Sequence, residues 1–251
     1  MAAELDKLAK YYIEKGNKSR AKLYAALAEE ERSLKGPETV VSAKQAAVAK
    51  GETQIPEPDL RQQTYELLKQ VREPSPEEKR DLKEMGFVFL TALPKSFAQV
   101  VSEDQDYFWE GELKYAIARA ELRDYVPPAI TVALNPTRLA IPGSFNKSKD
   151  KQLGMIAKYS RDEIEAKFPD AKAVMLPATT YAQADMAYSK VNNGQVLFRD
   201  FFARALDNTS EVCSAYVGRY LPGSRFFVYD WDAAHGDDYV GAVPAVVFLR
   251  K

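Results

Sequence analysis

The sequence predicts an α+β protein: a helical first third, then a domain in which strands and helices mix without regular order. Three observations carry that expectation. Apolar residues recur at helical spacing through the first 86 positions. The character changes at Phe87, where Phe87-Val88-Phe89-Leu90-Thr91-Ala92-Leu93 reads as a buried strand. The segments between those runs do not form repeated βαβ units. We therefore expect a helical region over 1–86 and an α+β domain over 87–251.

Taken in order, Leu5, Leu8, Tyr12 and Ile13 share one helical face, Gly16-Asn17 breaks it, and Ala21, Tyr24, Ala25 and Ala28 resume it. That is a helix hairpin. Leu8, Tyr12, Gly16, Ala21 and Ala28 have the look of a single tetratricopeptide unit, but without a second copy there is no solenoid. Over 35–58, Gly36-Pro37, Gly51 and Pro56-Glu57-Pro58 mark a linker or broken helix. A helix over 59–73 places Leu60, Tyr65, Leu67, Leu68 and Val71 on its apolar side. Ser75-Pro76-Glu77-Glu78 opens the next: the Ser75 hydroxyl accepts from the Glu78 amide, Pro76 fits the first turn, and Glu78 reaches back to the cap. It ends near Gly86. Strands are expected over 87–93, 129–134 and 173–176. Helices are expected over about 150–168, 181–188 and 198–206, and 105–120 is ambiguous. Three more strands fill the tail.

At 251 residues the chain accommodates one large or two modest domains, with enough length for a real core. Apolar residues make up 46% and charged residues 28%, the proportions of a soluble globular protein. A net charge of −1 supplies no basic excess for nucleic acid and no polybasic run for anionic lipid. The N-terminus lacks the charged and apolar regions of a secretory signal, and no apolar run reaches bilayer length. The single cysteine, Cys213, excludes an intramolecular disulfide and fits a reducing compartment; the location is left unknown, with cytoplasmic as the default in the absence of a signal peptide.

Motifs that carry chemistry are sparse. There is no Walker-type phosphate loop and no strand–GxGxxG–helix fingerprint. Ser144 and Ser148 lie in a basic loop before a helix, where an anion could bind, though a solvated connection is the simpler reading. His235 is the only histidine, so any Ser-His-Asp or Cys-His site must be built on it. Asp230, Asp232, Asp237 and Asp238 invite a calcium site but fail the EF-hand spacing: His235 stands at the glycine position and Gly241 at the bidentate glutamate. A lectin-type calcium site stays open. Glu110 and Glu112 near Trp109 are a weak glycosidase pair, since nothing fixes their separation. No catalytic, metal or cofactor site is assigned.

The tail is the most informative segment. From Val212 to Phe248 there is no Glu, Lys, Gln or Met, although the chain contains 20, 21, 10 and 5 of them. At the rate of the remaining chain about ten would be expected there. Strands disfavour Glu and Lys, which explains part of the gap but explains the intervening polar loop less well. The other explanation is a restricted codon set. The loop mixes Tyr, Asp, His and Gly, a combination that gives large contact area and adaptable hydrogen bonding.

The run Arg225-Phe226-Phe227-Val228-Tyr229-Asp230-Trp231-Asp232, the loop with Asp237-Asp238, and the closing Val240-Gly241-Ala242-Val243-Pro244-Ala245-Val246-Val247-Phe248-Leu249 resemble the C-terminal end of C-type lectin-fold proteins. The similarity is greatest to the group holding formylglycine-generating enzymes and the variable proteins of diversity-generating retroelements. In that group a tryptophan-bearing strand, a variable loop and a closing apolar strand form the ligand-facing end. Adenine-directed mutagenesis of codons such as AAC and AAT yields Tyr, Asp, His, Gly, Ser, Arg or Ala, and never Glu, Lys, Gln, Met or Trp. The resemblance covers 212–251, and 87–210 matches less clearly. It departs at Ala242-Val243-Pro244, where many relatives carry Gly-Phe-Arg, and Cys213 alone argues against the enzyme branch.

The resemblance implies a C-type lectin-like domain that binds an unknown protein or surface ligand without catalysis. The expected contacts are Tyr216, Arg219, Tyr229, Asp230, Asp232, His235, Asp237, Asp238 and Tyr239. Those from Tyr229 onward should be exposed and free of structural partners, with Trp231, Val246 and Phe248 buried. Two alternatives remain: an enzyme using His235 with a nearby Asp, and an interaction protein acting through its N-terminal hairpin.

Overall fold

A computed structural model describes residues 59–109, 119–219 and 224–250, with Lys10 and Ala25. The chain divides into two units, Met1–Ile55 and Pro56–Lys251. In the first, Lys10 and Ala25 are helical and exposed. The rest of the expected hairpin and tetratricopeptide-like set, the 35–58 segment, and Glu110 and Glu112 lie outside the described residues.

The second unit is mixed α and β, as expected, but begins earlier than residue 87. Its first helix, α1 (Leu60–Leu68), is capped by the Asp59 carboxylate, which accepts from the Gln62 amide. The apolar pattern that suggested helix to residue 73 instead passes into a strand, β1 (Val71–Arg72). In α2 (Pro76–Glu84) both bonds of the Ser75–Glu78 capping box form, at 3.2 and 2.7 Å. Arg72 grips the Glu78 carboxylate with two bonds of 2.8 and 2.7 Å, tying β1 to the start of α2.

β2 (Val88–Ala92) and β3 (Ile130–Leu134) pair antiparallel over five residues. The closing strand β9 (Ala245–Leu249) sits at the centre of this first sheet, antiparallel to β1, β3 and β4 (Ala171–Val174). A strand flanked on both edges, with both faces covered, must be apolar throughout. Ala245, Val246, Val247 and Phe248 are all buried.

The second sheet runs β7 (Phe227–Asp232), β6 (Cys213–Gly218), β5 (Phe202–Asn208) and β8 (Val240–Gly241), with β8 parallel to β5. Here the 198–206 expectation is corrected, since β5 is a strand. The run 240–248 is also not one strand. Pro244 has no N–H to give a ladder, and the chain leaves the second sheet at Gly241 and enters the first at Ala245. Tyr181 donates to the Val243 carbonyl at 2.5 Å at this crossing.

The remaining helices fill the layers. α3 (Phe97–Glu103) and α4 (Ala120–Asp124) are short. α5 (Lys149–Tyr159) continues as a π-helical turn, Ser160–Glu165. α6 (Ala178–Val191) lies against β2 of one sheet and β5 and β6 of the other. Its small buried residues, Ala178, Ala182 and Ala184, allow that close approach. Among the described residues no helix is long and apolar enough to cross a membrane.

Candidate functional site

The tail residues converge on the loop 233–239, which joins β7 to β8. This loop is held mainly by its main chain. The Asn146 amide donates to the Asp237 carbonyl at 2.8 Å, the Lys149 amide to the Ala233 carbonyl at 2.8 Å, and the Ala233 amide to the Val212 carbonyl at 2.8 Å. Arg204 on β5 is fully buried. Its guanidinium donates to the carbonyls of Asp232 (3.4 Å) and His235 (3.1 Å), to Ser214 Oγ (3.3 Å) and to Gln152 Oε1 (3.2 Å). Gln152 on α5 in turn donates to the carbonyls of Ser144 (2.9 Å) and Val240 (2.7 Å). A buried cation thus meets neutral acceptors, and burial pulls its pKa below the usual arginine value despite the nearby carboxylates.

Gly236 has a steric role. A Cβ there would lie 2.3 Å from the Asn146 carbonyl carbon, so only glycine allows the loop this close. Ser144 and Ser148, the candidate anion loop, are already engaged. Ser144 is buried and accepts from the Ala242 amide at 3.0 Å, and Ser148 caps α5.

The nine sequence candidates divide. His235 and Asp238 are exposed; Tyr229, Asp232, Asp237 and Tyr239 are partly exposed. The first strand of the hairpin corrects the expectation. Tyr216 is buried, edge-on to Phe202 (5.0 Å) and Tyr229 (5.9 Å). Arg219 is buried and paired with the buried Asp185 at 3.1 Å, its guanidinium 4.6 Å from the Tyr107 ring centre. Asp185 also accepts from Tyr107 Oη and the Leu197 amide, so Arg219 serves the interior.

Asp230, expected to be exposed and unpartnered, is buried and accepts from Thr209 Oγ1 at 2.7 Å, with Arg119 at 3.8 Å. Strand alternation explains this. Asp230 opposes Ala215 on the face of β7 that turns inward, whereas Tyr229 and Trp231 belong to the other face. Asp232 and Asp237 also have structural partners: their carboxylates accept from the amides of Ala234 (2.8 Å) and Tyr239 (2.7 Å). Burial raises the Asp237 carboxyl. Trp231 is partly rather than fully buried, while Val246 and Phe248 are buried as expected.

Asp232 Oδ2 lies 2.9 Å from His235 Nδ1, so the histidine does have a hydrogen-bonded carboxylate. Its side chain is nevertheless 74% exposed, on a loop rather than in a cleft. Cys213 stands opposite Asp232 in the β6–β7 register, with no hydrogen bond between thiol and imidazole. Among the described residues no group of three or more Asp, Glu, His or Cys converges to hold a metal ion.

The residues that sequence reasoning missed are the loop's supports, Arg204, Gln152, Asn146 and Lys149. The one available signal was Arg204 itself, a charge inside the apolar run Phe201-Phe202-Ala203-Arg204-Ala205-Leu206. No family model matches the chain, and no curated protein or solved structure matches it.

Proposed function

We propose that residues 56–251 form a C-type lectin-like domain that binds a protein or surface ligand without catalysis, through a diversified C-terminal surface of the retroelement variable-protein kind. The observation that carries this reading is how the loop is held. Arg204, Asn146 and Lys149, all outside the depleted segment, grip main-chain atoms of 232–237. Main-chain atoms are the same whatever side chain is encoded. The exposed side chains of His235 and Asp238 can therefore change while the backbone keeps its course, whereas Tyr229 also packs on Tyr216. The Trp231-bearing strand, the loop and the closing apolar strand follow in the order the resemblance requires.

Two tests address it. In the encoding genome, a near-copy of the last hundred or so bases should lie beside a reverse transcriptase gene, with differences confined to adenines in the copy. In the laboratory, His235 and Asp238 are randomised together to the residues those codon changes reach. Most variants should keep the parental unfolding midpoint within a few degrees, and selection should yield new binders. Loss of folding in most variants would sink the reading.

The enzyme alternative is favoured by one observation, the Asp232–His235 bond, and opposed by the exposure of His235. Any turnover assigned to this protein that survives His235→Ala would dispose of it.

A further inference from the structure

A cavity of about 410 Å³ opens between α1 and α4, away from the loop just described. Tyr65 and Tyr125 form one wall, their ring centres 5.2 Å apart and nearly edge-on. Asp207, near the end of β5, is the buried member of the lining, only 3% exposed. Its Oδ1 accepts from Tyr65 Oη at 3.2 Å and its Oδ2 from the Ala178 amide at 2.5 Å. Those two donors are neutral. Lys149 is near but spends its ammonium on the carbonyls of Leu206 (2.7 Å) and Asp207 (3.3 Å) and on Asn208 Oδ1 (2.8 Å).

The cations on the cavity rim are already matched. Lys69 pairs with Glu66 at 2.7 Å and Arg61 with Glu121 at 3.7 Å. Arg61 also donates to the Leu206 carbonyl and lies 5.5 Å from the Tyr65 ring centre, so the flat aromatic position suited to a guanidinium is taken. Among the described residues no cation makes a salt bridge to the buried Asp207 carboxylate, although the Lys149 ammonium acts on it electrostatically. Such a group takes up a proton or a cation. Burial raises the Asp207 carboxyl and the Tyr65 phenol, with Lys149 and Arg61 respectively acting the other way.

We propose that this cavity binds a small alkylammonium ion, its ammonium against Asp207 and its alkyl chain along Tyr65 and Tyr125. A compact ammonium suits the space beside a stacked arginine, and the electron-rich Tyr125 ring favours its charge. This site is independent of the C-terminal surface and stands or falls apart from it.

The test titrates n-butylammonium chloride into the full chain by calorimetry, with 1-butanol as the neutral control of similar size. We expect saturable one-to-one binding of the ammonium and at least about tenfold weaker binding of the alcohol. Asp207→Asn should abolish the difference between the two. Because Asp207 also holds the Ala178 amide, folding of that variant is checked by circular dichroism. Tyr125→Leu leaves Asp207 and its bonds in place and should weaken the ammonium several-fold. No saturation by about 10 mM, equal affinity for ammonium and alcohol, or an unchanged affinity in Tyr125→Leu would each overturn the proposal.

Discussion

At the scale of single residues, Arg204 and His235 make opposite predictions although they touch. Arg204 is buried and supplies hydrogen bonds to two loop carbonyls and two side-chain oxygens. Arg204→Met keeps much of the volume but leaves those acceptors in the interior without a donor, at a cost of roughly 2–4 kcal/mol. His235 and Asp238 project into solvent, and truncating either to Ala should move stability by no more than about 0.5 kcal/mol. Urea unfolding of the three variants checks both statements, and a large loss from His235→Ala would show the loop side chains to be structural. Asp230 belongs with Arg204, because its bond to Thr209 lies inside the fold. Asp230→Ala should therefore destabilise, unlike Asp238→Ala.

At the scale of elements, burial explains much of the missing Glu and Lys. Ser214–Val217 in β6 and Ala242–Phe248 lie almost wholly in the interior, where no lysine or glutamate is welcome. The part left for a codon explanation is the partly exposed stretch from Tyr229 to Tyr239. Two element-level predictions follow from packing and charge. Phe248 on β9 packs edge-on to Phe168 and beneath Arg72, and Phe248→Ala should cost roughly 3–5 kcal/mol in chemical unfolding.

At the start of α2, the paired bonds from Arg72 hold the Glu78 carboxyl down to about 2, against 4.5 ordinarily. A depressed folded-state pKa gives stability that is complete above about pH 4.5 and is lost as pH falls toward 2. Glu78→Gln should flatten that part of the stability–pH curve. A curve that keeps the parental slope would assign the acid sensitivity to other carboxylates.

At the scale of the whole molecule, the compact unit begins at Pro56, not at Phe87. The reason is β1, which pairs Val71 with Leu249 and Arg72 with Phe248, so that the unit's first strand lies against its last. Leu68 and Leu82, from the two helices flanking β1, are buried in the same core. A chain of residues 56–251 should unfold cooperatively on its own. One of residues 87–251 should not, since it bares an edge of β9 and removes both leucines. Calorimetry of the two fragments decides between the boundaries, and cooperative unfolding of the shorter one would restore the earlier division.

The sequence by itself determined the features that depend on neighbours in the chain. The capping box at Ser75, the apolar strands at 88–92 and 130–134, and the mixed class of the domain are all local. So is the reading of 233–239 as a polar loop after a tryptophan-bearing strand. Tertiary structure alone decided what depends on distant partners. The run around Arg204 has spacing that suits a helix, and only β6 and β8 on either side make it a strand. Arg219 and Asp230 read as surface charges, and only Asp185 and Thr209, remote in sequence, show them to be internal. The loop's character likewise rests on Arg204 and on the amides of Asn146 and Lys149. Periodicity records which way a side chain points, but not which surface will arrive to cover it.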